Sequence, residues 1–181
     1  MSELPIGKGD DVSLKSSFFE QLVEHTFVSE LLQEAYYGSG ELIEVLRSEI
    51  DASGYDVVLE CRGIMRHVQL KTSRPDARAA SQKVHCKLAE KPGGCVVWVL
   101  RHEDRETRRM RLSYRFFGDE PGKPLPSLSE YKVAKHNKGD ATGKKKERPA
   151  IRVIPKGHFR VIETTEELVR VLFGLSSAGP T

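Results

Sequence analysis

Cysteine is scarce in this chain. The three cysteines, Cys61, Cys86 and Cys95, form neither an even set nor a C-x-x-C pair, so the sequence lacks the pattern of a disulfide framework. Cys61 and Cys95 lie in apolar runs, where a free thiol packs as a small hydrophobic group. We therefore expect a protein of the reducing cytoplasm.

Long hydrophobic runs are also absent. The longest, residues 95–100, is far shorter than the ~20 residues that a membrane-spanning helix needs. Residues 1–11 do not show the basic and then apolar pattern of a secretory signal. These two absences predict a protein that is neither embedded in a membrane nor secreted.

The sequence has no large excess of charge of one sign. It carries 29 Lys and Arg against 26 Asp and Glu, a net charge of +3 over 181 residues, which alone does not indicate a nucleic-acid partner. Residues 132–148 nevertheless have a net charge of +5, which leaves −2 for the rest of the chain. Such a segment is typical of a solvated loop and also of an arm that binds a polyanion.

The spacing of apolar residues predicts an α/β fold with a mixed central sheet. The predicted order is a helix, a meander of three strands, a helix and a buried strand, at residues 16–37, 42–47, 55–61, 66–72, 78–90 and 95–100. The short turns between the first three strands favour antiparallel pairing.

The second half of the chain is predicted to add further strands and a last helix. These elements are a strand at 110–117, a loop rich in Pro and Gly at 118–129, strands at 151–154 and 159–162, and a helix at 166–173 that Thr164 or Thr165 caps and Gly174 ends. We divide the chain into a flexible N-terminus (1–15), a core (16–102) and a C-terminal extension (103–181) that packs on the core and carries the basic loop 132–148.

Polar side chains on the second and third strands indicate where chemistry could take place. Side chains alternate between the two faces of a strand, so Gln69 and Lys71 share one face and Leu70 lies on the other. A hairpin centred on residues 62–63 places Asp56 opposite residues 69–71. Asp56 could instead be an ordinary turn residue, and Lys71 a solvated strand end.

The oxygen atoms at this position suit a magnesium ion. Mg²⁺ prefers hard oxygen ligands, often one or two carboxylates with carbonyls, waters and substrate phosphate. Asp56, the amide oxygen of Gln69 and the backbone carbonyl of Leu70 could supply them. A lysine beside such a site can hold a phosphate and help to position a water, so these parts together fit phosphodiester hydrolysis with Mg²⁺ or Mn²⁺.

Asp56, followed 13 residues later by Gln69-Leu70-Lys71 and preceded by an amphipathic helix that carries Glu, resembles the PD-(D/E)XK nuclease superfamily. The likeness is to a Gln-x-Lys variant found in small bacterial proteins. It implies a restriction-endonuclease-like core with the order of elements given above. It also implies that Asp56 binds metal, that Gln69 takes the place of the second acidic ligand and that Lys71 is the catalytic lysine.

The resemblance further implies a glutamate from the preceding helix. Glu30 precedes Asp56 by 26 residues and is our preferred candidate, with Glu34 one turn later as the alternative. The amide of Gln69 supplies an oxygen but no charge, which lowers the expected affinity for metal.

The function that follows is a cytoplasmic, metal-dependent nuclease that hydrolyses phosphodiester bonds in DNA. The expected nucleic-acid contacts are basic residues after the third strand and in the basic segment: Arg74, Arg78, Lys135, Lys138, Lys144, Lys145 and Lys146. The alternative is a weakly active or inactive module of the same fold that binds nucleic acid or a protein partner. A homodimer is compatible with either hypothesis.

Overall fold

A computed structural model describes residues 8–47, 54–104, 106–136 and 145–175. Within these ranges the chain forms two α-helices and nine strands: α1 (Lys8–Gln33), β1 (Glu44–Arg47), β2 (Val57–Cys61), β3 (Ile64–Ser73), β4 (Ser81–His85), β5 (Gly94–Asp104), β6 (Arg109–Phe117), β7 (Lys132–Lys135), β8 (Glu147–Pro155), β9 (Arg160–Ile162) and α2 (Thr165–Phe173). A π-helical turn, Glu34–Gly38, extends α1. No helix in the described ranges is long and apolar enough to cross a membrane.

Six strands form one mixed sheet in the order β1-β2-β3-β5-β6-β9. The pair β3 and β5 is parallel, and every other neighbouring pair is antiparallel. The three-strand meander predicted from the sequence is therefore confirmed, and so is the buried strand that follows it. The general α/β class with a mixed sheet is confirmed as well.

Helix α1 packs on one face of this sheet through a single stripe of side chains. Val23, Phe27, Leu31 and Ala35 follow one another at four-residue steps and are almost fully buried, as one face of a helix requires. They join Leu168 and its neighbours on α2 in the main core. The helix begins at Lys8, earlier than the spacing of its apolar residues predicts.

The prediction of a helix at residues 78–90 is wrong. This stretch forms β4 and a short 3₁₀ turn, Cys86–Glu90, and β4 lies at the edge of a second sheet in the order β4-β8-β7. Val84 and Leu88 are both fully buried against the opposite face of the large sheet. Their four-residue spacing mimics a helix because a strand residue and a turn residue reach the same small core.

The second core lies between the two sheets and contains Trp98. This side chain is 1% exposed and its indole N–H donates to Ser73 Oγ at 2.8 Å. Phe159 packs edge-on against it, with ring centroids 5.4 Å apart. Strands β6 and β9, from the second half of the chain, complete the large sheet.

The last turn of helix α2 contacts a buried arginine of β3. Thr164 caps its first turn by accepting from the Glu167 N–H at 3.1 Å, and Gly174 ends it in a left-handed conformation, both as predicted. Arg66 of β3 is fully buried and donates to the carbonyls of Val171 and Leu172 in the last turn. A cation beside the last carbonyls of a helix also complements the helix dipole.

Candidate functional site

Asp56 is held at the start of β2 by two hydrogen bonds to β3. Its N–H donates to the carbonyl of Val68 at 2.9 Å, and its Oδ2 accepts from the N–H of Leu70 at 2.6 Å. The carboxylate therefore lies beside the segment 69–71, where the hairpin prediction places it. A charge-assisted bond of this length fixes the orientation of a carboxylate.

The turn before Asp56 is fixed by a close approach to β4. Gly54 has a φ of +75°, and a Cβ at this position would lie 2.4 Å from the Cβ of His85. Only glycine satisfies both the backbone conformation and the space. The Gly54 turn thus sets the position of Asp56 relative to β4 as well as β3.

The backbone carbonyl of Leu70 points toward the same edge of β3 as its N–H. In an extended strand the two polar groups of one residue face the same neighbour, as in a hydrogen-bonded pair. The N–H of Leu70 reaches Asp56, so its carbonyl lies on the β2 side, where β2 begins only at Val57.

Gln69 is buried with an unsatisfied acceptor. The residue is 7% exposed, and its Oε1 has no hydrogen-bond partner among the residues that the structure describes. A buried amide oxygen without a partner costs roughly 1–3 kcal/mol, so such groups are normally paired. A cation or a hydrogen-bond donor from a ligand would satisfy it.

A cavity of about 650 Å³ lies between α1 and the end of β3. Asp56, Glu20 and Glu24 line it together with Lys71. Glu24 also forms an ion pair with Arg47 at 2.8 Å. We call this the acidic cavity.

A second cavity, of about 620 Å³, lies between β3 and the small sheet. Its lining is mostly basic and polar, and we call it the basic cavity; its residues are Gln69, Lys71, Lys83, His85, His136, Glu147, Arg148, Pro149, Ala150 and Ile151. Lys71 lines both cavities. This lysine is half-buried and in register with Trp98 of β5, and it lies beyond Val68, the last residue of β3 that pairs with β2.

Glu30, the residue of α1 that we expect from the sequence as a metal ligand, lies outside both cavities. Its Oε2 accepts from the hydroxyls of Tyr114 at 2.6 Å and Thr165 at 3.1 Å, and neither Glu30 nor Glu34 lines the acidic or the basic cavity. Burial, and next the bond to Glu30, raise the pKa of Tyr114. Glu30 therefore ties α1 to β6 and α2.

The glutamates that do reach the cavity, Glu20 and Glu24, were missed from the sequence. They lie one turn apart on the same face of α1, which places both near the start of β2. Their spacing is visible in the sequence, but the angle at which α1 crosses the sheet is not. That angle decides which turn of the helix meets Asp56.

The predicted nucleic-acid contacts are exposed wherever the structure describes them. Arg74, Arg78, Lys135, Lys145 and Lys146 are exposed, and Arg74 lies 3.4 Å from Asp76 in an ion pair. Lys138 and Lys144 lie outside the described residues. Lys83 and Arg148 extend the basic surface into the cavity beside Gln69.

The described residues contain no group of three or more His, Cys, Asp or Glu side chains that could hold a metal ion. Of the three oxygen donors expected from the sequence, the Asp56 carboxylate and Leu70 line the acidic cavity, whereas Gln69 lines the basic cavity. Mg²⁺ is often held by one or two carboxylates and keeps several waters, so the Asp56 carboxylate with the Leu70 carbonyl fits a weakly held Mg²⁺.

Comparison with protein-family models, with curated proteins and with solved structures gives no match to this chain.

Proposed function

We propose that this protein is a metal-dependent nuclease that hydrolyses phosphodiester bonds in DNA. The observation that carries the proposal is the position of Lys71, which lines the acidic cavity with Asp56 and the basic cavity with Gln69. Cleavage of a phosphodiester needs an acidic side to hold a cation and a basic side to hold the polymer. Lys71 stands where the two sides meet.

Each residue then has a separate task. Asp56 and the carbonyl of Leu70 would hold the metal, and Gln69 is the further ligand that the resemblance implies. Mg²⁺, when bound, offsets negative charge on the phosphoryl oxygens and lowers the pKa of a bound water. Lys71 contacts the scissile phosphate and stabilises the charge that grows on it in the transition state.

The order of the elements supports the proposal. A helix, a three-strand meander and a later strand of the same sheet follow the order that the resemblance to the PD-(D/E)XK superfamily implies. Asp56 lies at the start of β2, beside the part of β3 that carries Lys71. The chain departs from the pattern in having β4 and a turn where the superfamily has a second helix.

The test is cleavage of supercoiled, linear duplex and single-stranded DNA with Mg²⁺, with Mn²⁺ or with EDTA. We expect cleavage that needs a divalent ion and falls about 100-fold or more in Lys71→Ala, because removing one transition-state donor commonly costs that much. Lys123→Ala is the matched control, since Lys123 is exposed in the loop after β6 and lines neither cavity. Undiminished cleavage by Lys71→Ala would contradict the proposal.

The second candidate is a module of the same fold that binds nucleic acid or a protein partner without turnover. The neutral amide of Gln69 favours it, together with the lack of three metal-binding side chains among the described residues. Under this hypothesis DNA binding is sensitive to salt, no cleavage occurs with either metal, and Asp56→Asn binds as well as the parent protein. Metal-dependent cleavage would exclude it.

A further inference from the structure

The basic cavity is built from three strands that belong to two sheets. Gln69 and Lys71 come from β3, Lys83 and His85 from β4, and residues 148–151 from β8. Three of its lining side chains are basic, Lys71, Lys83 and Arg148, against one carboxylate, Glu147. Gln69, whose Oε1 has no hydrogen-bond partner among the described residues, lines the same cavity.

One wall of the cavity is an irregular part of β8. Val133 of β7 pairs with Arg152, but the next residue, Ala134, pairs with Arg148, so residues 149–151 have no partner on β7. Pro149 has no N–H to offer a neighbouring strand. The guanidinium of Arg152 donates to the carbonyl of Pro149 and holds this bulge in place.

The cavity is small compared with a nucleic-acid duplex. Its volume of about 620 Å³ equals that of a cube about 8.5 Å on a side. The two paired strands of a duplex do not fit together into such a volume, so only a part of one strand can occupy it. One strand, with its phosphate and one base, is of a suitable size.

The cavity also offers flat groups on which an unpaired base can stack. His85, His136 and Arg148 are planar side chains of the kind that stack on exposed bases. The His85 ring is oriented by accepting from the Lys87 N–H at 3.2 Å. The backbone N–H of His136 donates to the carbonyl of Lys146 at 2.9 Å, which fixes the main chain at this position. In a duplex the faces of the bases are already stacked and unavailable to such groups.

We propose that the basic cavity takes a single strand of nucleic acid and excludes the duplex. The inference rests on the proposed function and names its substrate class. The Lys71, Lys83 and Arg148 side chains contact the phosphates, and His136 and Arg148 stack on an unpaired base.

The experiment measures binding in EDTA, so that it does not depend on cleavage. Fluorescence anisotropy compares a labelled single-stranded DNA, the blunt duplex of the same sequence and the single-stranded RNA. We expect single strands to bind at least tenfold more tightly than the duplex. The logarithm of the binding constant should fall with that of salt with a slope of about −2, because three cations meet a single strand.

Three substitutions separate the contribution of charge from that of stacking. Arg148→Ala should weaken single-strand binding by about tenfold or more, since loss of one stacking partner alone has about that effect. Arg148→Lys keeps the charge, so it should preserve the salt slope and still lose part of the affinity. His136→Ala should weaken single-strand binding without changing the slope, and Lys123→Ala should change neither quantity.

Equal or tighter binding of the duplex would overturn the inference, and so would unchanged single-strand binding by both Arg148→Ala and His136→Ala. Single-strand preference without metal-dependent cleavage supports the inference and contradicts the proposed nuclease. Single-strand preference limited to RNA also supports it and contradicts DNA as the polymer.

Discussion

The N–H of Leu70 donates to Oδ2 of Asp56 at 2.6 Å, at the point where β2 ceases to pair with β3. A carboxylate thus occupies the place that a strand carbonyl would otherwise take. The bond gives Asp56 a structural task beside the chemical one that we propose. Substitutions at this position can be chosen to separate the two.

Asp56→Ala leaves the Leu70 N–H without its charged acceptor. A hydrogen bond to a charged group contributes about 1.5–3 kcal/mol, so the free energy of unfolding should fall by about that amount. Asp56→Asn keeps an acceptor oxygen and should lose about 1 kcal/mol or less, while losing metal-dependent cleavage. Urea unfolding in EDTA measures the free energy of unfolding of both variants, and the DNA cleavage assay measures the loss of activity. Equal stability of the parent protein and Asp56→Ala would show that the bond contributes little.

Gln69→Glu should strengthen the interaction with Mg²⁺. Without metal the substitution places a carboxylate where an amide is 93% buried, so we expect a lower melting temperature than that of the parent protein. Addition of 10 mM Mg²⁺ should then raise the melting temperature of Gln69→Glu by more than it raises that of the parent. Gln33→Glu on the exposed side of α1 is the matched control. An equal response to Mg²⁺ in all three proteins would contradict a metal site at Gln69.

Glu20 and Glu30 should behave differently, although both are glutamates of α1. Glu20→Ala removes a carboxylate from the acidic cavity, so cleavage should fall while stability changes little. Glu30→Ala leaves the hydroxyls of Tyr114 and Thr165 without an acceptor, so the free energy of unfolding should fall by about 1–3 kcal/mol. Cleavage rates at a temperature where both variants are folded, together with urea unfolding, distinguish them. The reverse pattern would restore Glu30 as the site residue.

Stability should decline above about pH 8.5 because of Cys95. Burial raises the pKa of this thiol to about 12 in the folded protein, whereas a thiol in an unfolded chain has a pKa of about 8.5. Between these values the unfolded chain has lost the proton that the folded protein keeps. The free energy of unfolding therefore falls by up to about 1.4 kcal/mol per pH unit from this group.

Urea unfolding of the parent protein and Cys95→Ala at pH 8, 9 and 10 checks this prediction. Tyrosines and lysines titrate in the same range, so the difference between the two slopes is the informative quantity. We expect the decline with pH to be shallower in Cys95→Ala. Parallel slopes would mean that the thiol ionises in the folded protein as it does in the unfolded chain.

Arg66 should be among the most sensitive positions for stability. Its guanidinium is fully buried and donates to the carbonyls of Leu172, Val171 and Asp119. Arg66→Ala leaves these acceptors unsatisfied and opens a cavity, so we expect a loss of about 3 kcal/mol or more. Arg66→Lys cannot reproduce the fork of donors of a guanidinium. Its stability should therefore lie between that of the parent protein and that of Arg66→Ala. A loss below 1 kcal/mol for Arg66→Ala, measured by urea unfolding, would contradict this role.

The elements that the sequence predicts best are those with a complete local signal. Helix α2 has a capping threonine, an acidic first turn and Gly174 at its end, and the meander has two turns with glycine at positive φ. These signals lie within a few residues of the helix or turn that they produce. The local sequence is therefore sufficient to predict these elements.

The sequence predicts poorly those elements whose structure depends on contacts with distant parts of the chain. Ala80, Val84 and Leu88 show helical spacing, but β4 gains the pairing of β8, some 70 residues later in the chain, and becomes a strand. The position of Glu30 outside both cavities has a similar reason, because the crossing of α1 over the sheet determines which glutamates line the cavity with Asp56. The pairing of Asp56 with the 69–71 segment was predictable since a two-residue hairpin fixes it locally.

The bonds from Arg66 join residues more than 100 positions apart in the chain. During synthesis the arginine leaves the ribosome long before the carbonyls of α2 that accept from it. Until then the carbonyl of Asp119 is the one earlier acceptor among those described for Arg66, so burying its charge is unfavourable. We therefore expect the core around Arg66 to close fully only after α2 is made, and a chain that ends before α2 to be more sensitive to proteases.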